Sequence, residues 1–134
     1  MKGHARQLMT SNDVVVSPET TLAEAARELA RVEISVLPVS DSLGRVVGIV
    51  TESAMLGALL GTSPNNTAVQ ALMTSNIVTV VEITPADHAV QLLREHRIHH
   101  LPVIRQGVVV GLITPQSVIQ YFVTHELPSS PEVA

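Results

Sequence analysis

The pentapeptide Leu8-Met9-Thr10-Ser11-Asn12 recurs as Leu72-Met73-Thr74-Ser75-Asn76, and the likeness continues along the chain. At the same offset of 64 positions, Val14 falls on Val78, Val16 on Val80, Thr20 on Thr84, Ala25 on Ala89, Leu29 on Leu93 and Ile34 on Ile98. Leu37-Pro38-Val39 then falls on Leu101-Pro102-Val103. Beyond this block the offset drops to 63, and Gly48-Ile49-Val50-Thr51 meets Gly111-Leu112-Ile113-Thr114. The lost residue lies where "SDSLGR" faces the shorter "IRQG", which predicts a turn, because a deletion inside a paired strand would flip its side chains to the wrong face. A tandem duplication of this kind is too long per copy for a solenoid repeat, and it has too few copies for an array. It predicts two similar units packed about a pseudo-twofold axis.

Each unit reads the same way. Val14 to Val16 is short and β-branched, as a strand requires. In "SPETTLAEAARELAR", Thr21 followed three residues later by Glu24 is a capping-box signature. Leu22, Ala25, Ala26 and Leu29 then lie on one helical face, with Glu24, Arg27, Glu28 and Arg31 towards the other. In the second unit Thr84 is positioned to cap, Pro85 suits the first helical position, and Ala86, Ala89, Val90 and Leu93 repeat the stripe. Two strands follow in each copy, "VLPVS" and "RVVGIV", then "HLPVI" and "VVVGLI". Their turns are expected around Asp41 to Gly44 and at Gln106-Gly107. Pro38 and Pro102 have no N–H to donate and are expected at a strand start or a sheet edge. A last helix is expected after Thr51 and after Thr114, whose hydroxyls can cap it. Its stripes are Met55, Leu56, Leu59, Leu60 and Val118, Ile119, Phe122, Val123. The expected fold class is α+β, with two β-α-β-β-α units at 8–60 and 68–124, a linker at 61–67 and a disordered tail at 125–134.

Composition narrows the function classes. Apolar residues are 46% of the chain and aromatics 1%, so the core must be aliphatic. Charged residues are only 15%, which points to surface covered by a partner. The net charge of −4 and the lack of a basic run argue against nucleic-acid binding. With no cysteine there is neither a disulfide nor a thiolate metal site. The N-terminus carries no apolar stretch of the signal-peptide kind, and no apolar run reaches membrane-spanning length, so a cytoplasmic protein is expected. Nothing fixes a Ser, His and Asp together, and the glycines of "GRVVGIV" and "GVVVG" do not have phosphate-loop spacing; no enzyme activity and no cofactor are expected. The cluster His96, His99, His100 invites a metal reading, but a helix-to-strand junction separates the first from the others, and adjacent residues of a strand point to opposite faces.

The stretches "TLAEAAREL", "ISVLPVSDSLGRVVGIVT" and "HRIHHLPVIRQGVVVGLIT", in this order and duplicated, resemble the tandem CBS-domain pair, named after cystathionine β-synthase. The resemblance covers roughly residues 8 to 124. It implies two CBS units packed through their sheets, pairing again through helices into a homodimer, and a regulatory module that senses an adenosine-containing ligand such as AMP, ADP, ATP or S-adenosylmethionine. It also implies an unidentified protein target.

The resemblance further implies a ligand-binding set. Thr51 and Thr114 match the hydroxyl that opens the last helix, where the free N–H groups and the helix's positive end suit an anion. Ser53 matches a second hydroxyl. His99 and His100, just before "LPV", match a phosphate contact, whereas Ser35-Val36 in the first copy offer no charge. The position of the ribose-gripping Asp holds Ala54 in one unit and Ser117 in the other, and neither can accept two hydrogen bonds as a carboxylate does. The ligand-binding candidates are therefore Thr51, Ser53, Thr114, His99, His100 and Ser117. The alternative is a ligand-free dimeric scaffold that has lost the site with its Asp residues.

Overall fold

The computed structural model describes residues 1–32, 35–61 and 64–128. Ile34, part of the expected linker and most of the expected tail lie outside these residues. The elements in chain order are α1 (Ala5–Leu8), β1 (Thr10–Ser11), α2 (Leu22–Val32), β2 (Val36–Ser40), β3 (Val46–Thr51), α3 (Glu52–Leu60), a 3₁₀ turn (Val69–Ala71), β4 (Val80–Val81), α4 (Ala86–Glu95), β5 (Leu101–Arg105), β6 (Val108–Ile113) and α5 (Pro115–His125).

The strands form two sheets, β2-β3 and β1-β6-β5-β4. Each unit is centred on an antiparallel hairpin, with Leu37 opposite Val50 in one and Leu101 opposite Ile113 in the other. The register breaks at equivalent places, between Val39 and Ser40 and between Val103 and Ile104. The deletion sits in the hairpin loops, as the offset predicted. In the shorter loop Gln106 and Gly107 both have positive φ, 52° and 83°, the two-residue turn whose twist matches its strands. In the longer loop the Asp41 carboxylate accepts the N–H groups of Leu43 at 2.9 Å and Arg45 at 3.0 Å.

The expected strand at Val14 to Val16 is cut to a single bridge, Val16 beside Val39. The chain turns away at once, because the Thr20 hydroxyl accepts the Ser17 N–H at 3.0 Å and the Thr20 N–H returns to the Ser17 carbonyl. Thr84, expected as a helix cap, does the same job: its hydroxyl accepts the Val81 N–H at 3.2 Å, and Pro85 stands at the N-cap without a side-chain bond. Thr21 caps as expected, accepting the Glu24 N–H at 3.2 Å. Pro38 lies third in β2, which is a sheet-edge strand, with its carbonyl accepting the Val16 N–H at 3.0 Å. A residue's N–H and C=O face the same flank of a strand, so the missing Pro38 donor faces the flank of the single Val16 bridge and not the ladder to β3.

The core has three parts. Leu22, Ala25, Leu37, Val39, Val50 and Met55 fill the first unit; Ala86, Ala89, Leu93, Leu101, Val103 and Ile113 fill the second. Val36, Ile49 and Leu112, with Ile77 against them, join the two sheets. The duplicated pentapeptide explains how the halves are tied. Residues ahead of the first unit dock on the second: Ala5 and Leu8 are buried in its core, and β1 pairs with β6. Residues ahead of the second unit dock on the first: Val69 is buried in its core, and Thr74 bridges Ile49. Each crossing needs a glycine beneath it. A Cβ on Gly48 would lie 2.8 Å from both Met73 Sδ and the Thr74 carbonyl. One on Gly111 would collide in the same way with Met9 and the Thr10 carbonyl.

The two final helices are not equally stripes of core. Met55 is buried, but Leu56, Leu59 and Leu60 on α3 and Ile119, Phe122 and Val123 on α5 are exposed, Leu60 by 88%. Both helices thus leave an apolar face open to water.

Candidate functional site

A cleft of about 690 Å³ opens between the two units. It is lined from the first unit by Ser35, Ile49, Thr51, Glu52 and Ser53, and from the second by Thr74, Asn76, Ile77, Val78, His96, Ile98, His99 and His100. Each wall has a local cause. Thr51 ends β3 and is the N-cap of α3, its hydroxyl accepting the Ala54 N–H at 3.1 Å. That bond uses a lone pair and leaves the hydroxyl proton to donate into the cleft. The Glu52 N–H is taken by the Ser35 carbonyl at 3.0 Å, which ties the start of α3 to the start of β2.

The opposite wall follows from how α4 stops. His96 is its C-cap, and Arg97 has a left-handed φ of 52°. The Ile98 N–H reaches back to the Leu93 carbonyl at 3.1 Å and the Arg97 N–H to the Arg94 carbonyl at 3.3 Å. This is the Schellman arrangement, with an arginine where glycine is the usual occupant. It throws Ile98, His99 and His100 across the cleft before β5 begins at Leu101. Both histidines line the cleft because neither has yet entered the strand, so the alternation that would have separated them does not apply.

His100 and Ser35 join across the units, Nε2 to Oγ at 2.8 Å. His100 is half-buried, and burial pushes its pKa below the ordinary 6.5; the neighbouring His99 lowers it further, while Glu52 pulls it up. Desolvation disfavours the charged ring more than one exposed carboxylate favours it.

Of the residues expected to bind ligand, the structure brings together Thr51, Ser53, His99 and His100, with Thr51 and the histidines coming from different units. Thr114 and Ser117 are elsewhere. The Thr114 hydroxyl accepts the Ser117 N–H at 3.1 Å, and the Ser117 hydroxyl accepts the Thr114 N–H at 2.9 Å while donating to the Thr114 carbonyl at 3.0 Å. Ser117 is buried, 6% exposed, and its hydroxyl is engaged in this capping box. Residues 74–78, Glu52 and His96 were not anticipated as lining. The signal for 74–78 was the duplicated pentapeptide itself, which lies at the crossing from one unit to the other. Among the described residues, no group of three His, Asp or Glu side chains comes together to hold a metal ion.

The CBS-domain family model matches residues 5–61 and again residues 69–124. The chain belongs to the CBS-domain family. It is 33% identical over 109 residues to an uncharacterized 17.7 kDa protein of Acidianus ambivalens, matching 81% of this chain and 66% of that one. It is 33% identical over 112 residues to the inosine-5'-monophosphate dehydrogenase of Nitrosopumilus maritimus, matching 83% of this chain but only 22% of the dehydrogenase. The match to that enzyme is confined to its CBS portion. Among solved structures, the CBS-domain pair of protein MJ0100, in complex with 5'-methylthioadenosine and S-adenosyl-L-methionine, superposes with a TM-score of 0.81 at 25% identity, over 94% of this chain and all of that one. The protein CBSX2 in complex with AMP gives 0.79 at 26% identity, over 90% of this chain and 96% of that one. Two CBS units making a CBS pair is thus the architecture of this chain, and the CBS pair is a regulatory fold. No helix among the described residues is long and apolar enough to cross a membrane.

Proposed function

We propose that this CBS pair is a regulatory module that holds an adenosine-type ligand in the cleft between its units. The observation that carries the reading is the cleft's construction. Aliphatic Ile49, Ile77, Val78 and Ile98 offer a surface for a flat base, and Thr51, Ser53, Asn76 and the histidines offer hydrogen bonds to a sugar and its 5' substituent. The AMP, S-adenosylmethionine and methylthioadenosine complexes of similar CBS pairs support it. Because the walls come from different units, a bound ligand would fix their relative position and, through α3, the exposed apolar faces of α3 and α5. We infer that these faces pair two copies into a homodimer, and that ligand occupancy alters the dimer or its affinity for a protein target. The module is not itself an enzyme in this reading, and it works in the cytoplasm, where such metabolites are found. Thr114 would serve a second, related cleft as Thr51 serves the first, and the units at 8–60 and 68–124 would move as the two halves of the sensor.

A different class of function is favoured by one residue. Ala54 stands where the family resemblance implies a ribose-gripping Asp. A ligand-free scaffold would account for its loss. Thermal denaturation with AMP, ATP, S-adenosylmethionine and NAD decides between them. A ligand present at a hundred times its dissociation constant adds about 2.7 kcal/mol, which is a rise of roughly 10 °C for a chain of this size. No shift with any of them would leave the scaffold standing.

A further inference from the structure

Resting on the reading of the cleft as an adenosine site, we infer that Glu52 makes it select adenosine derivatives with an uncharged or cationic 5' substituent over phosphorylated ones. The argument is one of charge. Among the described residues that line the cleft there is no Lys or Arg, and Glu52 is the one carboxylate. Glu52 is also the first residue of α3. A helix start presents about half a positive charge, the feature that ordinarily recommends it for phosphate, and a carboxylate in the first turn already answers it.

Two of the donors at that helix start are in use too. The Glu52 N–H is held by the Ser35 carbonyl, and the Ala54 N–H by the Thr51 hydroxyl. The remaining contacts are neutral hydroxyls and histidines. His96 and His99 are exposed on the opposite wall, as Glu52 is on its own. His100 is the histidine set into the wall, joined to Ser35, and its burial, with His99 beside it, disfavours the charged ring. A nucleotide phosphate entering this cleft would exchange water for a site whose lining carries a fixed negative charge. A nucleoside, or a nucleoside sulfonium, meets no such penalty and can use Thr51, Ser53 and Asn76 as partners.

The test is calorimetry on the full chain at pH 7.5 and 0.15 M salt with three probes: adenosine, adenosine 5'-monophosphate and S-adenosylmethionine. Adenosine and the sulfonium are expected to bind at least tenfold more tightly than the monophosphate, a difference of about 1.4 kcal/mol. Glu52→Gln is expected to close most of that gap, by raising monophosphate affinity relative to adenosine. Glu52 is exposed, so the substitution spares the core. Monophosphate binding as tight as adenosine in the wild type, or an unchanged ratio in Glu52→Gln, overturns the inference and leaves the adenosine reading in place. If none of the three probes binds, the adenosine reading fails and this inference with it.

Discussion

Two Gly→Ala substitutions should move stability in opposite directions, and the difference tests how the halves are joined. At Gly48 the new methyl would sit 2.8 Å from the Thr74 carbonyl oxygen and 2.8 Å from Met73 Sδ. The methionine can rotate away, but the carbonyl belongs to the backbone. It is pinned there by the paired bonds Ile49 N–H to Thr74 O at 3.0 Å and Thr74 N–H to Ile49 O at 2.8 Å. To restore ordinary contact the crossing segment must retreat by about half an ångström, which strains or breaks that pair. Overpacking costs about 1–3 kcal/mol and a lost hydrogen bond about 1 kcal/mol, offset by about 0.5–1 kcal/mol for removing a glycine from the unfolded chain. The net is a loss of about 1.5–3 kcal/mol. At Gly57, inside α3, a Cβ meets nothing within 4 Å. Alanine there should add about 0.5–1 kcal/mol through helix propensity alone. With an unfolding entropy of about 2.1 cal/mol/K per residue, one kcal/mol is about 4 °C for this chain. Gly48→Ala should therefore melt about 6–12 °C below the wild type and Gly57→Ala about 2–4 °C above it, by circular dichroism at one fixed protein concentration. Urea titrations should show the same order in midpoint with an unchanged slope. A Gly48→Ala protein as stable as the wild type would refute the close crossing of residues 73–74 over β3.

Leu56→Glu on α3 or Ile119→Glu on α5 should convert the proposed dimer to monomer without loss of helicity, because both side chains are largely exposed in the single chain; sedimentation at tens of micromolar checks it, and a wild type that is strictly monomeric there sinks the pairing. Arg97→Gly should stabilise the fold by about 1 kcal/mol, since the left-handed backbone at φ 52° strains any side chain but not glycine, and thermal melts read the gain. His100 should titrate below 6.5 in an NMR titration of the imidazole. Its depressed pKa means the unfolded chain takes up the proton first, so the stability it contributes is full above pH 6.5 and declines as pH falls through the folded pKa; His100→Gln should flatten that decline. Monophosphate affinity should rise as pH falls through the depressed pKa of His100, and His100→Gln should lose that rise; equal profiles would assign the ring a structural role.

The duplication, the aliphatic core and the helix-strand-strand-helix order of each unit could be read from the residues alone. They are local or periodic properties: a stripe of Leu22, Ala25 and Leu29 folds as a helix wherever it is placed, and a deletion must fall in a loop wherever the loop points. That Thr74 lies on Ile49, and Thr10 on Leu112, is a contact between residues far apart in the chain, and no period or propensity records it. The same holds for the cleft. Thr51 and His100 were each recognisable, but which threonine faces which histidine depends on how two nearly identical units pack, and near-identity of sequence leaves that choice to the sheet-to-sheet contact of Val36, Ile49 and Leu112. Local chemistry misled only where neighbours compete for one group. Thr84 could cap a helix or brace a turn, and the turn took it once the Thr84 carbonyl was committed to the Ala5 N–H at 2.7 Å, a partner supplied from the other end of the chain. The charge of the cleft was likewise beyond the sequence. Glu52 is an ordinary first-turn acid until the fold brings a wall of the second unit without Lys or Arg opposite it, and that juxtaposition is what the proposed discrimination against phosphate rests on.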